Sequence, residues 1–308
     1  MKLSAFVRKL LRNKLAVAGG LVVLSLFVVS WLAPTLAPHE PNRPHVTARF
    51  KPPGTPGHVL GTDSLGRDVL SRLIWGSRIS LKVGFVAVGL ATLIGLTLGS
   101  IAGYRGGLVD AAVMRLCDLM LCFPSMFLIL AVIAVLEPSI WNVMIVIGLT
   151  GWMGVARLVR AEFLSLKSRD FVLASKLLGA SDFRLIWRHL LPNALTPVLV
   201  TATLGVAEAI LTESALSFLG LGVQPPTATW GAILSDGKNY LERAWWLSLY
   251  PGLAILVTVL SYNLLGEGLR EALNPHNAEA RQAFGVRLRR RRARRPGEPA
   301  WQRRCSRK

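Results

Sequence analysis

Six long apolar runs, each bounded by charged or turn-forming residues, dominate the pattern of this chain. The first, Leu15–Ala33, reads LAVAGGLVVLSLFVVSWLA and carries no charge. The others are Val83–Ala102, Val109–Leu136, Trp141–Val159, Leu195–Leu219 and Trp246–Leu265. About 20 apolar residues take a helix across the roughly 30 Å hydrocarbon layer, so each run predicts a membrane-spanning helix. Arg115, Asp118 and Pro124 weaken the third run. A cleaved leader is the rival reading of the first run. Its apolar stretch would be shorter, and the small-residue site near Ala37 is followed by Pro38, so an uncleaved span is read. The expected fold is all-α: a polytopic membrane protein with six transmembrane helices. Residues 1–14 form an N-terminal segment and 15–36 the first span. A loop with an interfacial helix follows over 37–78. A five-helix core takes 79–270, with a polar segment at 169–192, and 271–308 is a basic tail expected to be disordered.

Composition supports this. The 308 residues are 52% hydrophobic and only 17% charged, against about 25% charged in soluble domains. A net charge of +19 raises the question of nucleic acid. Basic residues flank the apolar runs, however, and no basic face interleaves with aromatic residues, so nucleic acid is excluded as a partner. The three cysteines form no C-x-x-C pair, which indicates neither a disulfide framework nor a zinc site.

Lys and Arg near the span ends set orientation. Lys2, Arg8, Lys9, Arg12 and Lys14 precede the first span, and seven basic residues lie between Arg157 and Arg188. The loop between Leu219 and Trp245 has only Lys238 and Arg243. The loop 37–78, with six basic residues, is a mild exception of a length that follows the rule loosely. Both termini, and the segment RDFVLASKLLGASDFRLIWRHLLPN from Arg169, are therefore expected in the cytoplasm. Asp170 can cap a helix with Phe171, Ala174 and Leu178 on one face, and Gly179 suits the left-handed position that ends it. Asp182 can cap a second helix with Phe183, Ile186, Trp187 and Leu190 on one stripe, and Pro192 can open the next span.

Chemistry-bearing motifs are few. Gly231–Asn239 is the nearest approach to a phosphate-binding loop. It has five residues between its glycines, and Asn239 stands where Ser or Thr should hold magnesium, so it is read as a decoy. Glu208 and Glu213 lie inside the fifth span, and Arg115 can pair with Asp118 one turn on in the third. Such intramembrane carboxylates line a path or serve as buried packing groups. Thr62 or Asp63 can cap an interfacial helix over Gly61–Trp75. The Arg-rich tail from Leu288 suits anionic lipid at the inner leaflet.

The polar segment resembles the EAA loop of permease subunits from binding-protein-dependent ABC importers. Leu173-Ala174-Ser175 matches its start, Gly179 its glycine and Leu191-Pro192 its end. Leu173 replaces the usual Glu, and His189 a usual aliphatic residue. Two further stretches, Gly61–Leu81 (GTDSLGRDVLSRLIWGSRISL) and Leu216–Leu241 (LSFLGLGVQPPTATWGAILSDGKNYL), are similar to the second, C-type subunit of the dipeptide, oligopeptide and nickel branch. The resemblance covers about residues 5–275. It implies a bacterial inner-membrane protein that pairs with a homologous B-type permease, two cytoplasmic ATPases and an extracytoplasmic solute-binding protein. It implies no catalysis and no cofactor on this chain, with ATP and magnesium on the partners. Leu173, Ala174, Ser175, Gly179, Ala180, Ser181 and Asp182 would contact the ATPase. Glu213 also matches the family's Glu before the SFLGLG run, and with Glu208 would line the path. Asp63, Arg67 and Asp68 would meet the binding protein. No metal ligands are expected. The expected cargo is di- or oligopeptide, with nickel as the alternative within the family. A secondary carrier is the alternative outside it, disfavoured because neither internal repeats nor interrupted spans are read.

Overall fold

The computed structural model describes residues 3–137 and 139–273. The tail expected over 271–308 lies outside the described residues, except 271–273, which finish the last helix.

The described chain is helical, with no strand beyond isolated bridges. Helix α1 spans Leu3–Arg12, α2 Lys14–Trp31 and α3 Ala33–Leu36. An irregular segment leads to α4, Val69–Arg105, then α5, Gly107–Leu121, α6, Ser125–Val135, and α7, Ile140–Lys167. Short α8, Asp170–Leu177, and α9, Asp182–Leu185, precede α10, Leu191–Phe218. Helices α11, Trp230–Gly237, and α12, Trp246–Leu273, complete the order. Five helical rods are long and apolar enough to cross a membrane, and α5 with α6, bent by 83° at the break between them, brings the number up to six if the pair is one span.

That bend corrects the expectation of a straight third span over Val109–Leu136 and of no interrupted span. Pro124 stands at the head of α6 with extended backbone, and a residue before proline is pushed out of the helical region, so the rod breaks there. The expected Arg115–Asp118 pair does not form. Asp118 instead accepts from Arg157 of α7 at 2.5 Å, and Asp110 is paired in a fork with Arg160. These pairs tie α5 to α7.

The expected interfacial helix over Gly61–Trp75 is also different. Residues 61–68 are irregular, and the helix starts at Val69 and runs unbroken into the second span. Asp68, rather than Thr62 or Asp63, is its cap: its Oδ2 accepts from Ser71 N at 2.8 Å. Asp63 is occupied elsewhere. It accepts from Arg67 Nε at 2.6 Å and Arg72 Nη1 at 2.5 Å, and both arginines also reach Asp236 of α11. Gly66, at φ +77°, closes this turn where an added Cβ would lie 1.8 Å from His45 O.

The core is set by small residues. Gly95, Gly99 and Gly103 repeat every four residues along α4 and face α7. A Cβ added to each would lie 2.6 Å from Val155 Cβ, 2.5 Å from Ala156 O and 2.7 Å from Phe163 Cβ. Removing side chains along one stripe lets two helices approach backbone to backbone. A similar contact joins α2 to α12, where a Cβ on Gly19 would meet Ser261 O at 2.6 Å and one on Gly268 would meet Ala16 Cβ at 2.1 Å. Asn13 closes this pair, donating to Glu271 at 2.9 Å.

Gly99→Val should force α4 from α7 and destabilise the chain by about 1–3 kcal/mol. Gly154→Ala is the control, since nothing lies within 4 Å of its added Cβ. Thermal unfolding in detergent should show a lower midpoint for Gly99→Val and a shift no larger than a few tenths of a kcal/mol for Gly154→Ala.

Candidate functional site

The segment between α7 and α10 is an elbow with defined geometry. Helix α8 closes with a Schellman turn: Gly179 N donates to Lys176 O at 3.0 Å and Ala180 N to Ser175 O at 3.1 Å. Gly179 sits at φ +82°, the left-handed conformation that glycine adopts without steric cost. The capping residues differ from those expected. Arg169 and Ser181 occupy the cap positions, and Asp170 and Asp182 fall one residue inside. Both carboxylates remain in the first turn, where the helix dipole favours them. Ser181 Oγ accepts from Arg184 N at 3.4 Å, which leaves Asp182 free to accept from Tyr104 OH at 2.6 Å.

No break occurs at Pro192. A π-helical turn over Ile186–Leu190 joins α9 to α10, so that Asp182–Phe218 is one continuous rod. The wider turn re-spaces the backbone bonds just before the missing N–H of Pro192. Asn193 Nδ2 adds a bond to His189 O at 2.6 Å.

Of the stripe read over Phe183, Ile186, Trp187 and Leu190, the inward face of the elbow takes only Leu190 as fully buried. Val172, Leu185 and Leu190 are buried and pack with Val159, Phe163 and Leu166 of α7 and Ala194 and Val198 of α10. Phe171, Leu178, Phe183 and Trp187, which the spacing placed on common faces, are exposed, as is Leu177. Leu177 and Leu178 are 89% and 88% exposed. The turn at Gly179 rotates the second helix, so one face cannot serve both. A cluster of large exposed apolar residues of this kind marks an interaction surface. Leu173, Ala174, Gly179, Ser181 and Asp182 are exposed here, with Ser175 and Ala180 half-buried, so the fold brings all seven expected contact residues onto one elbow.

The elbow is anchored to the spans. Lys167 Nζ donates to Tyr104 O at 2.6 Å and lies over the Tyr104 ring, whose hydroxyl holds Asp182. Phe171 and His189 rings are 6.2 Å apart across the turn. Nothing in the sequence spacing signalled Tyr104 or Lys167, because their contacts join residues more than sixty positions apart.

The intramembrane carboxylates separate. Glu208 is exposed on α10, whereas Glu213 is fully buried and accepts from Ser217 Oγ at 2.7 Å. Asp63, Arg67 and Asp68 are buried in the segment before α4. The charges of these three side chains are directed into the chain, while Leu65 beside them is exposed. The decoy at Gly231–Asn239 is helical over Trp230–Gly237 and follows no strand, and Lys238 Nζ donates to Phe218 O at 3.0 Å. Its backbone N–H groups cap and continue a helix and do not form a cradle for phosphate.

Five continuous rods and one bent pair, with an anchored apolar elbow between two spans, define a polytopic membrane protein. The family model described as binding-protein-dependent transport system inner membrane component matches residues 95–278, and that described as the N-terminal TM domain of oligopeptide transport permease C matches residues 3–53. The chain belongs to the binding-protein-dependent transport system inner membrane component family, and is a multi-pass inner-membrane permease subunit of the ABC transporter class. It is 42% identical over 268 residues to a dipeptide transport system permease protein of Alkalihalophilus pseudofirmus, covering 87% of this chain and 88% of that one. It is 42% identical over 278 residues to a di/tripeptide transport system permease protein of Pseudomonas aeruginosa, covering 89% and 92%. A glutathione transport system permease protein of Pectobacterium atrosepticum is 39% identical over 270 residues, covering 88% and 90%. Among solved structures, an inward-facing MetNI methionine ABC transporter shares the fold, with a TM-score of 0.53 at 18% identity over 67% of this chain and 97% of that one.

Val172→Ala should destabilise the elbow by about 2 kcal/mol, because it empties a buried position, whereas Leu178→Ala should cost no more than about 0.5 kcal/mol. Limited proteolysis at Lys176 and Arg184 checks this. Faster cleavage is expected in the first variant and an unchanged rate in the second.

Proposed function

We propose that this chain is one of two homologous permease subunits in an ATP-driven importer of di- or oligopeptides. The observation that carries this is the elbow, whose Leu177 and Leu178 stand almost fully exposed on an anchored turn. Such a surface costs solubility unless a partner covers it. The partner proposed is a cytoplasmic ATPase, one of a pair, which holds the ATP and magnesium. Leu173, Ala174, Ser175, Gly179, Ala180, Ser181 and Asp182 form its contact. The elbow and both termini then lie in the cytoplasm. The segment before α4 and the loop after α10 lie outside, where a solute-binding protein delivers cargo. Glu208, exposed on α10, is the carboxylate proposed to face the path or the partner permease.

Peptide cargo is supported by the relatives, which are named as dipeptide, di/tripeptide and glutathione transport permeases. These relatives do not favour nickel. The bent third span removes one objection to a secondary carrier, but family membership favours ATP-driven import.

Mechanically, the elbow is a lever. Tyr104 and Lys167 tie it to the ends of α4 and α7, so a push on α8 reaches two spans together. A coupling free energy of about 1–3 kcal/mol shifts a two-state equilibrium roughly five- to 150-fold, so a small displacement at this joint is enough.

Gly179→Asp tests the assignment. Nothing lies within 4 Å of an added Cβ, so the change strains only the left-handed turn, at about 1 kcal/mol, and places a charge beside Leu177 and Leu178. Normal membrane insertion is expected, with transport reduced at least tenfold and ATP hydrolysis no longer stimulated by loaded binding protein. Ser168→Asp, outside the turn, should be nearly silent. Wild-type transport by Gly179→Asp, with loss in Ser168→Asp, would overturn the coupling role. For orientation, single cysteines in a cysteine-free background should be labelled from outside at His45 or Gln224 and not at Ala180. Outside labelling at Ala180 would reverse the topology.

A further inference from the structure

We propose that His39, His58 and Asp68, in the segment between the first two spans, form a binding site for a first-row divalent cation of the zinc class. One ligand atom from each of these three side chains lies within 4.8 Å of the others. His58 Nδ1 is 3.1 Å from Asp68 Oδ1, and His39 Nδ1 is 3.9 Å from Asp68 Oδ2. The two imidazole rings stack with centroids 5.0 Å apart. Bonds of about 2.0–2.2 Å to zinc place tetrahedral ligand atoms roughly 3.3–3.6 Å apart. Rotation of the His39 ring and a small shift of the loop therefore suffice to close the site.

Two independent features point to a cation. First, the Nδ1 of His39 is shielded from solvent and has no hydrogen-bond partner among the described residues. A buried nitrogen lone pair without a donor is costly, and a metal ion satisfies it. Second, the Asp68 side chain is 1% exposed, and among the described residues its only ion-pair partners are these two histidines. The neighbouring arginines, Arg67 and Arg72, are taken by Asp63 and Asp236. Asp68 is fixed in place at the start of α4 by Ser71 N at 2.8 Å and Ser71 Oγ at 2.7 Å. A carboxylate oriented by such outer bonds and flanked by two imidazoles is a His₂-carboxylate donor set, which suits zinc with a remaining position for water.

An entry path exists. The His39 side chain is 38% exposed even though its Nδ1 faces inward. When the cation binds, His58 Nδ1 and Asp68 Oδ1, which face each other at 3.1 Å, both turn to the metal. The ion would tie the end of the first span, the Thr55–His58 turn and the cap of α4 to one point. No pairwise motif announces this set, since the ligands stand nineteen and ten residues apart. The site stands independently of the cargo and of the ATPase contact.

The test uses the full chain, purified in detergent, stripped with chelator and equilibrated with zinc chloride. Wild type should retain one zinc per chain after desalting, with a raised melting midpoint. His39→Gln and His58→Gln should each weaken binding more than about tenfold and abolish the rise. His45→Gln, a histidine outside the cluster, should behave as wild type. Equal zinc retention in wild type and the His39→Gln/His58→Gln double variant would overturn the site. Should the variants misfold, X-ray absorption of zinc-loaded wild type decides: two imidazole ligands support the site, and a shell without imidazole overturns it.

Discussion

Backbone-to-backbone contact between α4 and α7 is the constraint on which the rest of this structure depends. Lipid tails are as apolar as leucine, so burial alone does not hold two spans together in a membrane; close packing must. Gly95, Gly99 and Gly103 remove the side chains that would keep α7 away. The seam runs toward the ends of both helices, where Tyr104 and Lys167 stand. Because the helices meet there, one hydroxyl and one ammonium group can reach across and hold the elbow. The elbow is thus placed by glycine packing along α4 and α7, away from the elbow itself.

The opposite end of α4 is organised by charge. Asp63, Arg67, Arg72 and Asp236 form a compact cluster of two carboxylates and two guanidinium groups, joining the segment before α4 to α11. Burial of single charges is costly, but a closed set with several hydrogen bonds is tolerated and fixes one arrangement. Trp246 adds a bond from its ring nitrogen to Thr62 O at 3.2 Å, so the head of α12 is joined to the same cap. Helix α4 is therefore held at one end by glycine packing and at the other by ion pairs.

Much of this was legible in the sequence, for definite reasons. Apolar length alone marked the spans, since the bilayer leaves few alternatives. The Gly179 turn followed from its spacing between two helical stretches. Other features depend on contacts between distant residues. Asp68 caps α4 because Asp63 is occupied by arginines, which periodicity cannot show. Leu178 and Phe183 look like core residues by spacing, yet Val172 and Leu185 are the ones buried, because the turn changes the direction of the second helix. Pro124 was legible as a proline weakening the third apolar run, but the 83° bend was not. The glycine stripe had a readable signal in its four-residue spacing, but its partner on α7 did not.

The central claim is that the exposed apolar side of the elbow is the surface through which nucleotide-driven motion enters the membrane subunit. A photo-crosslinking amino acid at Leu177 in the assembled transporter tests it most directly. Illumination should yield an adduct with a cytoplasmic ATPase, with a yield that changes when ATP is bound. The same probe at Leu65 should give none. An adduct at Leu177 with the solute-binding protein, or with lipid alone while Leu65 captures the ATPase, would contradict the claim.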